Sequence, residues 1–236
     1  MCLFILLKEI KNTTLNSREL IELQLELECK RVVDDNRLVR IPCAHPDDIP
    51  RFLIAYHDTS FTPFFHQNLP EYLRSQLTAL SPEQAFRDYE GVKAILAQDK
   101  PCEDMWHGTS YTFTDRPNEH MSLDVVRLYD DVHYDLLQRY EHWKRIDNKT
   151  VYGIIVDGQI VASCGSSREN DKSGEAWVIT EPAFRRRGYA RQVTSAWAYQ
   201  QQGKVPFYSH HQSNTASQAV ARSLGLLSFM EAMAYI

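Results

Sequence analysis

The chain has 236 residues, of which 43% are hydrophobic and 24% charged, with only 9 Gly and 10 Pro. This composition excludes a disulfide-stapled mini-protein and an intrinsically disordered chain, and it predicts a folded protein with a sizeable buried core. The formal net charge of -5 gives no overall attraction to nucleic acid or to anionic membranes, so an anionic ligand would need a local site.

The cysteines predict a reduced, cytoplasmic protein. They are far apart, odd in number and without a C-x-x-C pair, which favours neither a disulfide framework nor a zinc site: Cys2, Cys29, Cys43, Cys102 and Cys164. The apolar run of residues 2–7 is too short for a membrane span and lacks the basic start of a signal peptide, so we expect a first strand or a docked tail there. We expect neither a membrane nor a nucleic-acid partner.

Residues 17 to about 100 are predicted to be mostly helical. Apolar residues recur from Ser17 to Arg31 with mixed spacing, and a further helix is expected near Arg51–His57. Ser81 followed by Pro82 has the pattern of an N-cap and a first helical residue, which predicts a helix continuing to about Leu96.

After Pro101 the sequence alternates between strand and helix patterns. A strand is expected at 110–113, a helix within 123–143, and a β-hairpin at 151–163, where Asp157-Gly158 is the dipeptide that a type I′ turn prefers. The remaining predicted elements are a strand at 175–180, a helix that ends by Gly203, a strand at 205–211, a helix at 214–224 and one or two strands within 226–236. This order predicts a mixed sheet with helices on its faces, in one body with the N-terminal part.

A basic segment lies at the predicted junction between the strand 175–180 and the next helix. It reads Arg185-Arg186-Arg187-Gly188-Tyr189-Ala190. Free backbone N–H groups and the positive end of a helix dipole favour a phosphate at such a junction, and the small residues let the backbone approach the ligand. Guanidinium groups can pair phosphate oxygens, so a diphosphate suits this segment. A solvated basic run at a helix start is the alternative.

Two segments of the C-terminal half follow known signature patterns. Residues 180–190 follow V-x-P-x-[YF]-R-x-x-G-x-[GA], with Thr180 in the valine position and Arg185, Gly188 and Ala190 at the three key positions. Residues 214–217, with Leu-Gly-Leu at 224–226, follow N-x-x-[AS] before L-G-F. Together they resemble the coenzyme A signatures of the GNAT superfamily of N-acetyltransferases. The resemblance covers residues 107–236, whereas residues 1–106 show no part of the common core.

The resemblance implies a fold and a co-substrate. We expect an α+β, GNAT-like, mixed but mostly antiparallel sheet with helices on both faces in residues 107–236, and a mainly helical N-terminal extension in residues 1–106. Acetyl-CoA would lie where the strand 175–180 splays from the strand 205–211. The residues implied to contact it are Ile179 and Thr180 at the pantetheine, the amides of Arg186, Arg187, Gly188, Tyr189 and Ala190 at the pyrophosphate, with Arg185 beside them, and Asn214 and Ser217 of the second signature.

Glu175 is the candidate general base. Direct attack of an amine on the thioester requires loss of a proton, because the ammonium form of a free amine has a pKa of about 10. Glu175 begins the same strand, ten residues before Arg185, near where many members of the resembled family carry a catalytic glutamate. An exposed carboxylate at a strand end is the alternative interpretation.

The family's usual general acid is absent. A tyrosine seven residues after the asparagine would fall at position 221, which is Ala221 here, so a water, Ser217 or another hydroxyl would protonate the thiolate, or it would leave unprotonated. This departure leaves room for a catalytically silent member. His210 and His211 point to opposite faces of a strand, so one of them faces the cleft or both have a surface role. The histidines show no metal-ligand spacing, and we expect no metal.

The acceptor is expected to be the primary amine of a small molecule, such as an antibiotic or a metabolite. The rivals are a protein N-terminus or lysine, and a non-enzymatic acyl-CoA sensor. An enclosed aromatic pocket would favour the small molecule, and the aromatic patch 61–66 with Trp106 is either its wall or part of the core. Family members often dimerise through their C-terminal strands, so a homodimer is left open.

Overall fold

A computed structural model describes residues 15–27, 29–32, 36–40, 49–102, 104–114, 124–128, 132–139 and 150–236. The predictions for residues 2–7 and 140–143 lie outside this part of the chain. The strands are β1 (Cys29–Val32), β2 (Arg37–Arg40), β3 (Phe52–His57), β4 (Ser60–His66), β5 (Met105–Thr112), β6 (Val125–Leu128), β7 (Val151–Val156), β8 (Gln159–Glu169), β9 (Ser173–Thr180), β10 (Val205–His211) and β11 (Leu227–Tyr235). The helices are α1 (Ser17–Leu25), α2 (Glu71–Ala79), α3 (Pro82–Arg87), α4 (Tyr89–Leu96), α5 (Tyr134–Arg139), α6 (Tyr189–Gln200) and α7 (Thr215–Ser223).

The described strands form a single open sheet in the order β1-β2-β4-β3-β11-β5-β10-β9-β8-β7-β6. Neighbouring strands are antiparallel except at two places, β2–β4 and β9–β10. The strand β5 lies between β10 and β11, so the sheet continues from the C-terminal strands into the N-terminal ones without a break. The predicted α+β class with a mixed, mostly antiparallel sheet is confirmed.

Helices cover both faces of the sheet. Alternate residues of each strand point to opposite sides, so each strand contributes side chains to both packed layers. Along β11, Ala232 and Ala234 pack with α1, whereas Met233 and Tyr235 pack with α2, α3 and α4. In the other half of the sheet α6 and α7 cover one face, and α5 covers the other. No helix among the described residues is long and apolar enough to cross a membrane.

The hairpin β7–β8 confirms the prediction from turn chemistry. Asp157 and Gly158 both have positive φ, 49° and 73°, as a type I′ turn requires. The strands β9 and β10 and the helices α6 and α7 also lie where the sequence predicted them, and residues 226–236 form one strand, interrupted by a bulge between Ser228 and Met230.

The helix predicted near 51–57 is wrong: these residues form β3, and the aromatic segment that follows forms β4. Phe52, Leu53, Ile54 and Ala55 are all buried, because helices cover both faces of this strand, so the sequence lacks the alternation of a half-exposed strand. The turn between the strands, Asp58-Thr59, has two positive φ angles without a glycine.

The helix predicted within 123–143 is also largely wrong. Residues 125–128 form the edge strand β6, and the described helical residues are only the six of α5. Val125 and Leu128 are buried while the two residues between them are exposed, a spacing of three that imitates a helix. In the N-terminal part, α1 ends at Leu25 rather than near Arg31, and a capping box formed by Asn16 and Glu19 fixes its start.

Candidate functional site

The parallel strands β9 and β10 separate halfway along their length. Their pairing consists of Val205 with Ser173, Pro206 with Gly174 and Phe207 with Glu175. Beyond Glu175, β9 stays paired with β8 as far as Thr180, and β10 stays paired with β5 as far as His211. The two strands therefore bound a wedge, and the edge of β9 facing it carries backbone groups that no longer bond to β10.

The N-terminus of α6 lies just beyond the wide end of this wedge. The connection contains a 3-10 turn at Pro182–Phe184, and then Arg186 and Gly188 adopt left-handed backbone with φ of 62° and 81°. Gly188 is the N-cap, and no side chain caps the helix. The first-turn N–H groups have no acceptor within the helix, so they present partial positive charge to an anion. This is the backbone arrangement that the sequence predicted for a diphosphate.

Two of the three arginines of the basic segment contact the protein itself. The Arg185 Nε donates to the backbone carbonyl of Thr180 over 3.2 Å. The guanidinium of Arg187 lies 5.0 Å from the centre of the Phe184 ring and donates to the carbonyl of Ala183 over 3.4 Å. All three arginines are exposed. Arg185 and Arg187 thus brace the turn, and the backbone amides remain the better defined part of the predicted anion site.

The second signature begins α7. The side-chain oxygen of Asn214 accepts a hydrogen bond of 3.0 Å from the backbone N–H of Ser217, so Asn214 is the N-cap of this helix. The N-x-x-S pattern therefore has a local structural reason as well as the cofactor-binding role that the resemblance implies. In β9, Ile179 and Thr180 lie at the far end of the wedge, and the Thr180 hydroxyl is buried with no partner among the described residues.

Glu175 lies at the closed end of the wedge and is only 4% exposed, so it is not the exposed strand-end carboxylate that was the alternative. Its Oε2 accepts a 3.1 Å hydrogen bond from Arg168 of β8. Its Oε1 accepts one from the Ser209 hydroxyl of β10 and one of 3.2 Å from the Gln24 amide of α1. Donors from two neighbouring strands and a helix therefore fix the position of the carboxylate.

A cavity of about 190 Å³ opens beside this carboxylate, between α1 and the sheet. Glu175, Gln24, Arg168, Ser110 and Ser209 form its polar part. The remaining lining is apolar and comes from α1, the residues just before β3, β3 itself, β5 and β11, with Leu25, Pro50, Leu53, Trp106, Met230, Ala232, Ala234 and Ile236.

The aromatic patch is divided between the two faces of the sheet. Trp106 lines the cavity, as the wall hypothesis required, whereas Phe64 and Phe65 are buried in two different core clusters. The Phe61 ring packs at a tilt against Tyr56, with ring centres 4.7 Å apart, and against Phe86. Most of the patch is therefore packing, and Trp106 is its member at the site.

The residues predicted near the leaving thiolate lie on the face of the sheet opposite to the cavity, with α7. Ala221 is 1% exposed and packs in the core with Trp197. Tyr208 of β10 is buried in the same cluster, and burial raises its pKa to about 12, with the Ser217 hydroxyl opposing the shift. His210 is buried with its Nε2 3.1 Å from the Tyr111 hydroxyl, and His211 is exposed. Among the described residues no three His, Cys, Asp or Glu side chains are grouped to hold a metal ion.

Sequence reasoning missed four polar residues of the cavity: Gln24, Ser110, Arg168 and Ser209. Ser110 and Ser209 are paired directly across β5 and β10, so they share a face with Glu175. Because successive side chains of a strand point to opposite faces, the sequence alone could have placed the Ser209 side chain on the face opposite to that of His210. Gln24 lies 151 positions before Glu175, and no local pattern could have joined them.

Comparison with known proteins gives one family. Residues 119–235 match the model of the GNAT acetyltransferase domain. No curated protein sequence matches the chain.

Solved structures resemble the chain at low identity. A GNAT-family protein from Novosphingobium aromaticivorans is 18% identical over 57% of this chain, which covers 66% of that protein's length, with a TM-score of 0.43. A GCN5-related N-acetyltransferase-like protein from Streptococcus suis is 16% identical over 93% of this chain and 98% of its own, with a TM-score of 0.47. An aminoglycoside N-acetyltransferase solved with CoA is 21% identical over 43% of this chain and 90% of its own, with a TM-score of 0.33.

Proposed function

This chain belongs to the GNAT superfamily of acetyltransferases through its residues 119–235, and on that premise we propose that it transfers acetyl from acetyl-CoA to the primary amine of a small molecule. The observation that carries the proposal is the position of Glu175. The pairing of β9 with β10 ends at this residue, and its carboxylate lines a cavity on the far side of the opening. A base, an opening for a thioester and a space for an acceptor thus meet at one point.

Acetyl-CoA would enter along the wedge between β9 and β10. Its pyrophosphate would accept hydrogen bonds from the backbone amides of residues 186–190, where the left-handed Arg186 and Gly188 turn the N–H groups outward. The pantetheine arm would bond to the free edge of β9 near Ile179 and Thr180. Asn214 and Ser217 begin α7 on the other side of the wedge and would border the same arm.

The reaction would be a direct displacement. The amine nitrogen attacks the thioester carbonyl carbon, a backbone N–H on the free edge of β9 stabilises the oxyanion, and the C–S bond then breaks. Glu175 would accept the proton that the ammonium must lose before it can attack. Its three donors hold the carboxylate in one orientation, which favours proton transfer from a ligand in the cavity.

The thiolate that leaves would take its proton from a hydroxyl on the α7 side. Ala221 has none, whereas Tyr208 of β10 packs in the same cluster with its hydroxyl buried. Burial raises the pKa of Tyr208 to about 12, so its phenol stays protonated at neutral pH, although the same shift makes it a weaker acid than an exposed tyrosine. Replacing Tyr208 by Phe would then slow turnover and leave acetyl-CoA affinity unchanged.

Calorimetric titration of the full chain with acetyl-CoA is the first test. Micromolar affinity supports the co-substrate site, and a screen of amines for release of free thiol then identifies acceptors. The Glu175→Gln variant should keep acetyl-CoA affinity and lose kcat at neutral pH, because the amide cannot accept the proton. Unchanged turnover would reject Glu175 as the base, and absence of binding at millimolar acetyl-CoA would reject the proposed function.

A catalytically silent acyl-CoA sensor is the second candidate. It is favoured by Ala221, which is packed in the core where the resembled family carries its general acid. A sensor binds acetyl-CoA in the titration and releases no thiol with any amine. If thiol release instead requires a peptide N-terminus or a lysine side chain, the acceptor is a protein.

A further inference from the structure

The cavity beside Glu175 contains two buried polar atoms that have no hydrogen-bond partner among the described residues. Ser110 is 0% exposed, and its hydroxyl has no hydrogen bond within the described part of the chain. The side-chain oxygen of Gln24 is likewise buried without a partner, although the amide nitrogen of the same group donates to Glu175. A buried polar group without a partner destabilises a fold, so its presence at a cavity points to a ligand.

Three groups that can accept a hydrogen bond line this cavity. The Gln24 carbonyl oxygen, the Ser110 hydroxyl oxygen and the Glu175 carboxylate line the same cavity. A primary ammonium carries three N–H donors and no acceptor, so it complements such a set. A hydroxyl ligand has a single donor and would leave acceptors unpaired.

The other charged group of the cavity limits which amines fit. Arg168 is the sole cation among the described residues that line it, and it is paired with Glu175 at 3.1 Å. A carboxylate on the ligand would compete with Glu175 for this guanidinium. A second ammonium would lie against Leu25, Leu53, Trp106 or Met230, where nothing compensates its desolvation.

The volume limits the size of the ligand. An apolar protein cavity of about 150 Å³ is large enough to bind a benzene molecule. At about 190 Å³, the present cavity has space for one ring or a branched chain of similar size together with an amino group. A polycyclic or oligosaccharide amine would have to extend beyond it.

We propose that this cavity binds a small primary monoamine with a compact apolar or aromatic body, whose ammonium is held by Glu175, Ser110 and Gln24. The proposal rests on the proposed function, since it names the acceptor of that reaction. It also gives α1, which lies outside the family match, a direct part in acceptor binding through Gln24.

The test measures amine binding without acetyl-CoA, so that it does not depend on turnover. Benzylamine and isopentylamine are titrated into the full chain by calorimetry, beside benzyl alcohol, phenylglycine and spermidine. We expect at least one of the two monoamines to bind about tenfold or more tightly than the other three compounds, because charge-assisted hydrogen bonds are the stronger ones. Equal affinity for benzylamine and benzyl alcohol, a preference for phenylglycine or spermidine, or no monoamine binding at millimolar concentration would overturn the proposal.

The Ser110→Ala variant separates ligand binding from folding. Removing a buried hydroxyl that has no partner leaves the melting temperature unchanged or raises it, whereas the affinity for the monoamine falls about tenfold. Ser228→Ala, at an exposed position of β11, is the matched control and changes neither quantity. A Ser110→Ala protein that keeps full amine affinity removes this residue from the site and overturns the proposed set of acceptors.

Failure of this inference is distinguishable from failure of the proposed function. If acetyl-CoA binds and a polyamine or a peptide is acetylated instead, the function stands and the monoamine assignment is wrong. If acetyl-CoA does not bind while a monoamine does, the cavity is an amine site and the transferase assignment is wrong.

Discussion

Gly188 offers a direct test of where the pyrophosphate binds. This residue has φ of 81°, caps α6 without a side chain and is exposed. A Cβ placed on it would have only the Gln192 amide nitrogen nearby, at 3.9 Å, so substitution meets no steric clash within the protein. The cost of a substitution is therefore backbone strain, and its effect on the ligand is separable from its effect on packing.

The substitutions Gly188→Asn and Gly188→Asp form a matched pair. Both side chains have nearly the same shape and tolerate left-handed backbone better than other non-glycine residues, for which the cost is about 1–2 kcal/mol. A carboxylate at a helix N-terminus stabilises the helix by about 0.3–1 kcal/mol, so the Asp protein should be slightly more stable than the Asn protein. Two unit charges 4 Å apart repel by about 1 kcal/mol in water and about 4 kcal/mol at an effective dielectric constant near 20.

The two effects have opposite signs, which makes the comparison decisive. We expect acetyl-CoA to bind the Asp protein about tenfold or more weakly than the Asn protein, although the Asp protein unfolds at the same or a higher denaturant concentration. Calorimetry gives the affinities and urea unfolding gives the stabilities, and added salt should reduce the affinity difference. Equal acetyl-CoA affinity in the two proteins would refute the placement of the pyrophosphate at this turn.

Three further changes test the fold around the site. Gly158→Ala should lower the free energy of unfolding by about 1 kcal/mol, since φ is 73° and an added Cβ would meet no described residue within 4 Å other than its chain neighbours. Gly158→Asn is the milder control in urea unfolding. Trp197→Phe should lower it by about 2 kcal/mol, because the buried indole donates to the Ser166 hydroxyl over 3.0 Å; a loss under about 0.5 kcal/mol would contradict this. The folded pKa of Tyr208 is raised to about 12 from 10.0, so its contribution to stability is present below pH 10 and is lost as pH rises toward 12. Between pH 10 and 12 the free energy of unfolding of the wild type should therefore fall by about 1 kcal/mol per pH unit more than that of Tyr208→Phe. Parallel pH profiles of the two proteins would disprove this reasoning.

The parts of the fold that sequence predicted are those set by local backbone chemistry. Asp157-Gly158 marked the turn between β7 and β8 correctly, and the predicted starts of α6 and α7 lie at Gly188, which has left-handed backbone, and at Asn214, which caps its helix. The strand β3 was mistaken for a helix because helices of the N-terminal part cover both of its faces, and burial on two sides removes the periodicity that identifies a strand. That burial is a property of the assembled sheet.

The candidate site divides in the same way. The proposed anion site was predicted from a short continuous segment, and Glu175 was predicted from the resemblance, through its position ten residues before Arg185. The cavity beside Glu175 could not be predicted, because its polar groups come from α1, β5, β8, β9 and β10, which only the folded sheet brings together. In the sequence Ser110 is an ordinary strand residue. Only the structure shows that its hydroxyl is buried without a partner among the described residues.

The N-terminal part shares the sheet of the C-terminal part and lines the cavity that we propose as the acceptor site. The boundary expected between residues 106 and 107 falls inside β5, whose residues pair with β10 on one side and β11 on the other. β3 pairs with β11 and lines the cavity through Leu53, and α1 closes the cavity with Gln24 and Leu25. A chain cut at that boundary would keep the turn at Gly188 but would lose the amide that orients Glu175 and one wall of the cavity. In the function that we propose, binding of acetyl-CoA and recognition of the amine depend on different parts of one continuous sheet, which meet at the carboxylate where β9 and β10 separate.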